Sequence, residues 1–190
     1  MDSEVEYGWI SCLDARDGSA IVGLINEAVA DEGTLGYAAP MNMAEADAYV
    51  RSLGLRMASG DCHVFLVRVG GEPAFMAILS VTGMPNCRHR AEISKGIAAP
   101  RFRGRGLVDL AFREIVKRAE TLGVEQLVLD VREGTRAHRL WQRYGFQTYG
   151  VLEDYARFGG ISHRGHFMAQ TTASLRARVF PQGQLFARGV

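Results

Sequence analysis

Residues 91–112 limit what this chain can fold into more than any other stretch. Ala91-Glu92-Ile93-Ser94-Lys95-Gly96-Ile97-Ala98 reads as a strand, and Pro100 ends it. The turn that follows carries Arg101, Arg103 and Arg105 with Gly104 and Gly106. From Leu107 the apolar spacing becomes helical. A strand, a Gly-rich basic turn and a helix N-terminus together form an anion site. Glycines let the backbone curl until successive N–H groups converge. The helix dipole adds partial positive charge at the same point. The expected ligand is a phosphate or pyrophosphate. Two common phosphate loops do not fit. A dinucleotide fingerprint needs a third glycine where Asp109 stands, and a Walker loop needs Gly-Lys-Ser/Thr where the chain has Gly106-Leu107.

The remaining segments build an α/β order around this unit. Tyr7 to Leu13 suits a first strand, and Ser19 to Asp31 carries one wide apolar helical face. Gly33 to Met41 mixes turn formers with apolar groups, as loops that line a ligand cleft often do. Asn42 followed by Glu45 predicts an N-cap with a capping box. The helix it starts runs to about Ala58, with Ala46, Val50, Leu53 and Met57 facing inward. His63–Val69 and Ala74–Val81 flank Gly70-Gly71-Glu72-Pro73 and predict a hairpin. The helix from Leu107 to about Leu122 shows two acid-first pairs on its outer side, Asp109 with Arg113 and Glu114 with Arg118. Gln126–Val131 is a strongly apolar strand with Asp130 near its end. Strand, crossover helix and strand make a right-handed unit, so the strands at 91–98 and 126–131 lie parallel. A short helix over Gly134–Tyr144 and antiparallel strands at Phe146–Val151 and His166–Thr172 complete the sheet. One domain over 1–172 is expected, with 173–190 as a basic tail or a dimer contact. The chemistry belongs at the ends of the two parallel strands.

Arg101-x-x-Gly104-x-Gly106 resembles the pyrophosphate loop of the GNAT family of N-acetyltransferases, Gln/Arg-x-x-Gly-x-Gly/Ala. A second family pattern, Asn-x-x-Ala-x-x-Leu-Tyr-x-x-x-Gly-Phe, is met in register by Ala137, Leu140, Gly145 and Phe146. Gly134 replaces its Asn and Trp141 its Tyr. The two motifs stand in the family's order and spacing, and the resemblance covers about residues 60–170. It implies an acyl-CoA N-acyltransferase fold: a mixed, mostly antiparallel sheet with a central splayed parallel strand pair, flanked by helices. Within the family, Arg90-Ala91-Glu92, the 103–107 loop, Leu129-Asp130 and the Gly33-to-Met43 stretch look like the tabtoxin-resistance acetyltransferases.

That resemblance implies acetyl transfer from acetyl-CoA to a primary amine. Arg101, Phe102, Arg103, Gly104, Arg105, Gly106 and Leu107 would hold the pyrophosphate. Pantetheine would run along Gly96, Ile97 and Ala98, with a backbone N–H near Ile97 on the thioester oxygen. An amine with a pKa near ~10 is almost wholly protonated at neutral pH, so a base is needed. Glu92 is the first candidate and Asp130 the second. The family's usual acid is the tyrosine that Trp141 replaces, and an indole N–H cannot serve as one. Thiolate with a thiol pKa near ~8.5 leaves tolerably unaided. Tyr144 and Tyr155 are the alternative acids, in that order. The acceptor expected is a small amine, such as an amino-acid-like toxin or antibiotic. A protein N-terminus or lysine is a competing acceptor. A CoA-binding regulatory protein without turnover is the competing reading from another class, and Trp141 favours it.

Several classes are excluded or disfavoured by composition. A net charge of +1 argues against nucleic-acid binding by bulk electrostatics. No apolar run approaches the ~20 residues that span a bilayer, and the start, Met1-Asp2-Ser3-Glu4, is too acidic for a signal peptide. Cys12, Cys62 and Cys87 are odd in number and widely spaced, which fits a reducing cytoplasm better than a disulfide scaffold or a zinc site. His163 and His166 lack further ligands near them, so no metal is expected. His138 is expected on the surface of its helix.

Overall fold

The computed structural model describes residues 4–32 and 35–181. Its order is β1 (Val5–Trp9), α1 (Ala15–Glu32), α2 (Met43–Ala58), β2 (Cys62–Val69), β3 (Glu72–Val81), β4 (Arg90–Ala98), α3 (Leu107–Thr121), β5 (Gln126–Arg132), α4 (Arg136–Arg143), β6 (Gln147–Phe158), β7 (Ile161–Thr171) and α5 (Thr172–Val179). The seven strands form one sheet in the order β1-β2-β3-β4-β5-β7-β6. All neighbours are antiparallel except β4 and β5. The mixed sheet with a central parallel pair expected from the sequence is the one found.

Alternation in the central strands separates core from site. Ala91 and Ile93 of β4 are buried, as are Leu127, Leu129 and Val131 of β5. Glu92 and Asp130 fall at the outward positions between them. Side chains two apart on a strand share a face, so both carboxylates leave the sheet on the same side.

The helices hold this sheet through specific contacts. At α2 the capping box forms as expected: Asn42 N–H donates to Glu45 at 2.8 Å, and Glu45 N–H to Asn42 Oδ1 at 3.1 Å. α1 and α2 approach closely at Gly18, where a Cβ would lie 3.0 Å from a Val50 methyl. On α3 neither expected i,i+4 pair forms. Arg113 donates to the Val179 carbonyl at 3.2 Å, and Glu114 takes Lys117 at 2.7 Å. Arg113 thus goes to a tertiary partner and Glu114 to a residue one turn along the same helix; an exposed i,i+4 pair, worth only ~0.2–0.5 kcal/mol, holds neither.

The first strand covers Val5–Trp9 rather than residues 7–13, and two stretches near the C-terminus also differ from the sequence expectation. β6 and β7 are longer than 146–151 and 166–172, and they meet at a two-residue Gly159-Gly160 turn with φ of +59° and +77°. His163 therefore lies inside β7, opposite Ala156. The segment expected as a tail forms α5, and residues 182–190 lie outside the described residues. α5 packs Leu175 and Val179 against the core. Thr172 Oγ1 donates to the Val124 carbonyl at 2.8 Å, and Arg178 donates to the Arg143 carbonyl at 3.0 Å. α5 thus braces α3 and α4 together. Leu175→Ala should cost about 2–4 kcal/mol of unfolding free energy in urea, the range for emptying a filled core site. A loss below about 0.5 kcal/mol would mean that α5 lies on the domain without supporting it.

Candidate active site

β4 and β5 pair only over Arg90–Glu92 and Gln126–Val128. Beyond Glu92 and Val128 they share no further pairs, although β4 runs on to Ala98 and β5 to Arg132. Every second backbone group of residues 93–98 that faces β5 therefore lacks a strand partner. The strands diverge where β4 is irregular. Met76 pairs with Ile97 and Ile78 with Ser94, so Lys95 and Gly96 together oppose Ala77. This is a β-bulge, and it places Lys95 at φ +51°.

The divergence opens a cleft of about 1120 Å³. Its walls include Glu92, Lys95 and Gly96 of β4, Asp130 of β5, Trp141 of α4 and Tyr155 of β6. Phe102, Arg103, Gly104, Gly106 and Leu107 line the same cleft. Gly104 and Gly106 have φ of +76° and +74°, a region that strains any other residue. A Cβ on either would meet open space, so the constraint is the curl of the backbone and not crowding. Gly106 is the N-cap of α3 and offers no side chain to the first-turn N–H groups. Orphan donors at a helix start need a partner, and here they border a cleft. This arrangement fits a phosphate or pyrophosphate.

The three arginines of the turn divide. Arg103 lines the cleft while donating to Asp31 at 2.7 Å. Arg101 is held by Glu27 at 3.0 Å and Glu72 at 3.1 Å, beside a separate recess of about 350 Å³. Arg105 lies over the Phe102 ring at 5.2 Å. Gly96, Ile97 and Ala98 all border the cleft. Trp141 packs between Phe112 and Phe146, with a ring carbon 3.4 Å from where a Gly96 Cβ would stand.

The four candidate catalytic side chains also border this one cleft. Glu92 is exposed and has no hydrogen-bond partner among the described residues. Asp130 accepts a hydrogen bond from the Tyr155 hydroxyl. Burial, then that bond and the Asp130 charge, push the Tyr155 phenol well up. Tyr144 donates similarly to Asp109 in the first turn of α3, and burial first, then Asp109, raises its phenol to about 12. Both hydroxyl protons are therefore committed to carboxylates.

Sequence reading did not single out Lys95 or Tyr37, and it expected His138 on the surface of its helix. Leu35, Gly36, Tyr37 and Ala38 border the cleft, as the composition of that loop suggests. Asn26 anchors the loop's far end, accepting from Met41 N–H at 2.8 Å. Lys95 Nζ donates to the Leu35 carbonyl at 2.7 Å and sits 5.4 Å from the centre of the Tyr37 ring. His138 is buried, not on the surface. It stacks on His166 at 4.3 Å and accepts from Gly134 N–H at 3.3 Å, which fixes the start of α4. Among the described residues no His, Cys, Asp or Glu cluster suits a metal ion, and no helix is long and apolar enough to cross a membrane.

Gly165 sets the position of Tyr155. It is buried in β7, and a Cβ there would fall 2.1 Å from Tyr155 Cγ. Gly165→Ala should cost about 1–3 kcal/mol by overpacking. In a Tyr155→Ala background the same change should cost clearly less, because the ring is gone and only the residue 155 Cβ, 2.6 Å away, still opposes it. Equal costs in both backgrounds, measured by urea unfolding, would show that Tyr155 does not rest on Gly165.

Comparison with known proteins places this geometry. The structure is similar to an N-acetyltransferase from Staphylococcus aureus Mu50, with a TM-score of 0.74 at 17% identity over 90% of this chain and 99% of that one. Similar too is yncA from Salmonella typhimurium, solved with its cofactor acetyl-CoA, with a TM-score of 0.72 at 18% identity over 88% and 94%. A ribosomal-protein-alanine N-acetyltransferase from Brucella melitensis gives 0.69 at 21% identity over 88% and 99%. A sequence model of the acetyltransferase (GNAT) family matches residues 35–146, from the cleft-lining loop through both sequence motifs. The chain therefore belongs to the acetyltransferase (GNAT) family.

Proposed function

We propose that this protein transfers the acetyl group of acetyl-CoA to the primary amine of a small, amino-acid-like molecule. The observation that carries this reading is the opening of the β4–β5 pair onto an uncapped helix start within one cleft. Acetyl-CoA is the co-substrate and supplies an acetyl group activated as a thioester. The N–H groups from Arg103 to Leu107 would receive its pyrophosphate, with the α3 dipole behind them. The Arg103 guanidinium adds positive charge at the cleft wall. The unpaired β4 edge at Gly96, Ile97 and Ala98 would receive the pantetheine amides. A β4 N–H near Ile97 would stabilise negative charge that develops on the thioester oxygen.

Glu92 is the base in this reading. Its carboxylate has no competing partner among the described residues, whereas Asp130 already accepts from Tyr155. A base whose lone pairs are free can take a proton from an incoming ammonium directly or through a water. Asp130 would attract and orient the amine. Tyr144 and Tyr155 are poor acids, because both phenols are raised and both protons are engaged. CoA thiolate therefore leaves without a protein acid, which its own modest basicity permits.

A small acceptor is favoured by the Leu35–Ala38 loop against the cleft, tied down through Lys95 and Asn26. The likeness of this loop to the tabtoxin-resistance acetyltransferases supports an amino-acid-like toxin or antibiotic. Release of free thiol from acetyl-CoA across an amine panel tests the activity. Glu92→Gln should then lower kcat by ~10²–10⁴ with acetyl-CoA affinity nearly intact. The defect should shrink at high pH, where solvent deprotonates the amine. If Asp130→Asn shows that pattern and Glu92→Gln does not, the two roles are exchanged.

A further inference from the structure

We propose that Lys95 is the acceptor's anion receptor: its ammonium takes the carboxylate of an amino-acid acceptor whose amine lies at Glu92. This inference rests on the acetyl-transfer reading for its setting and goes beyond it by naming a group that the acceptor carries. The β4 bulge holds Lys95 at positive φ, and its side chain borders the cleft. Around Nζ the structure supplies one backbone carbonyl, Leu35 O at 2.7 Å, and one aromatic face, Tyr37 at 5.4 Å. Among the described residues no carboxylate stands within 4.0 Å of it in an ion pair. An ammonium has three donors and no acceptor, so one carbonyl leaves it short of partners. Half-buried charges are costly unless they are paired.

Its electrostatic surroundings fit the same conclusion. Burial lowers the Lys95 pKa, while Asp130 and Glu92 oppose that from a distance. The carboxylates are near enough to be felt and too far to neutralise it. The cleft wall thus carries a free carboxylate at Glu92 and an unpaired ammonium at Lys95, three residues apart on one strand. A ligand with an amine and a carboxylate a few bonds apart complements both charges. An amine lacking the anion would leave Lys95 unpaired when the cleft fills and water is displaced. That penalty gives selectivity, because rejecting a ligand that leaves a buried charge bare is stronger than rejecting one by shape.

The test compares acids with their methyl esters. The twenty free L-amino acids and their methyl esters are assayed as acceptors with wild type, Lys95→Met, Lys95→Gln and Lys95→Arg. The readout is the acid-over-ester ratio of kcat/KM within each protein. The differing basicity of the two amines then cancels between variants. A variant that is less stable lowers both numbers and leaves the ratio intact. Lys95→Met and Lys95→Gln should lower the ratio by about tenfold or more, the scale of one lost charge-assisted bond. Lys95→Arg should keep most of it. An unchanged ratio in Lys95→Met and Lys95→Gln would overturn the proposal, and so would an equal fall in Lys95→Arg. If none of these acceptors is acetylated, calorimetry of acids and esters on the CoA-loaded proteins gives the same comparison. Failure of the acetyl-transfer reading and failure of the Lys95 assignment are then separate results.

Discussion

Beyond Glu92 and Val128, β4 and β5 share no further pairs, and nearly every feature of the site is a consequence. Parallel strands in a sheet interior normally stay paired over their length, since unpaired backbone groups there are costly. The divergence is built in by residues on both sides. On β4 the bulge at Lys95 and Gly96 turns the strand. From α4, Trp141 lies against Gly96, where any Cβ would meet its ring. Phe112 and Phe146 pack on that indole, and Tyr144 packs on Phe112, which holds α4 to α3. The backbone polar groups released by the splay then face a cleft and need a ligand. Trp141 stands where the family pattern has a tyrosine, and here its indole packs against Gly96, Phe112 and Phe146.

Charge is distributed in the cleft by the same geometry. Alternation along β4 and β5 brings Glu92 and Asp130 out on one face, away from the core. Asp130 is satisfied by Tyr155, which itself lies over Gly165. Glu92 is left without a partner. Lys95 reaches across to the Leu35 carbonyl and joins the strand to the loop that borders the acceptor side. At the α3 start, positive potential comes from backbone and dipole, with Arg103 alone of the turn's arginines reaching the cleft wall. A polar ligand would thus meet separate regions of either sign, each tied to a different element.

Parts of this were legible from residues alone. The strand, Gly-rich turn and helix over 91–112 announce themselves because glycine placement and apolar period change within a few residues. Asn42 and Glu45 predict their own hydrogen bonds because a capping box is local. The extent of β6 and β7 was hidden by Glu153, Asp154 and Arg157, which break the apolar alternation, although Gly159-Gly160 is a legible two-residue hairpin turn. Lys95 was invisible as a bulge residue, since nothing in a lysine signals positive φ. The Tyr155–Asp130 and Tyr144–Asp109 bonds join residues far apart in sequence, and no spacing rule reaches them. His138 was misjudged because a short polar helix gives little sign of which side faces the sheet. The helix α5 looked like a tail because its buried face consists of little more than Leu175 and Val179.

The central claim is that the opened strand pair and the uncapped α3 start form one acetyl-CoA site. Amide hydrogen exchange with and without acetyl-CoA tests it at the residues concerned. Exchange at Gly104, Arg105, Gly106, Leu107 and Val108 should slow by about tenfold or more on saturation, together with amides in the 95–98 stretch, while β1 and β2 remain unchanged. Calorimetric binding of acetyl-CoA with no slowing at the 104–108 amides would contradict the account.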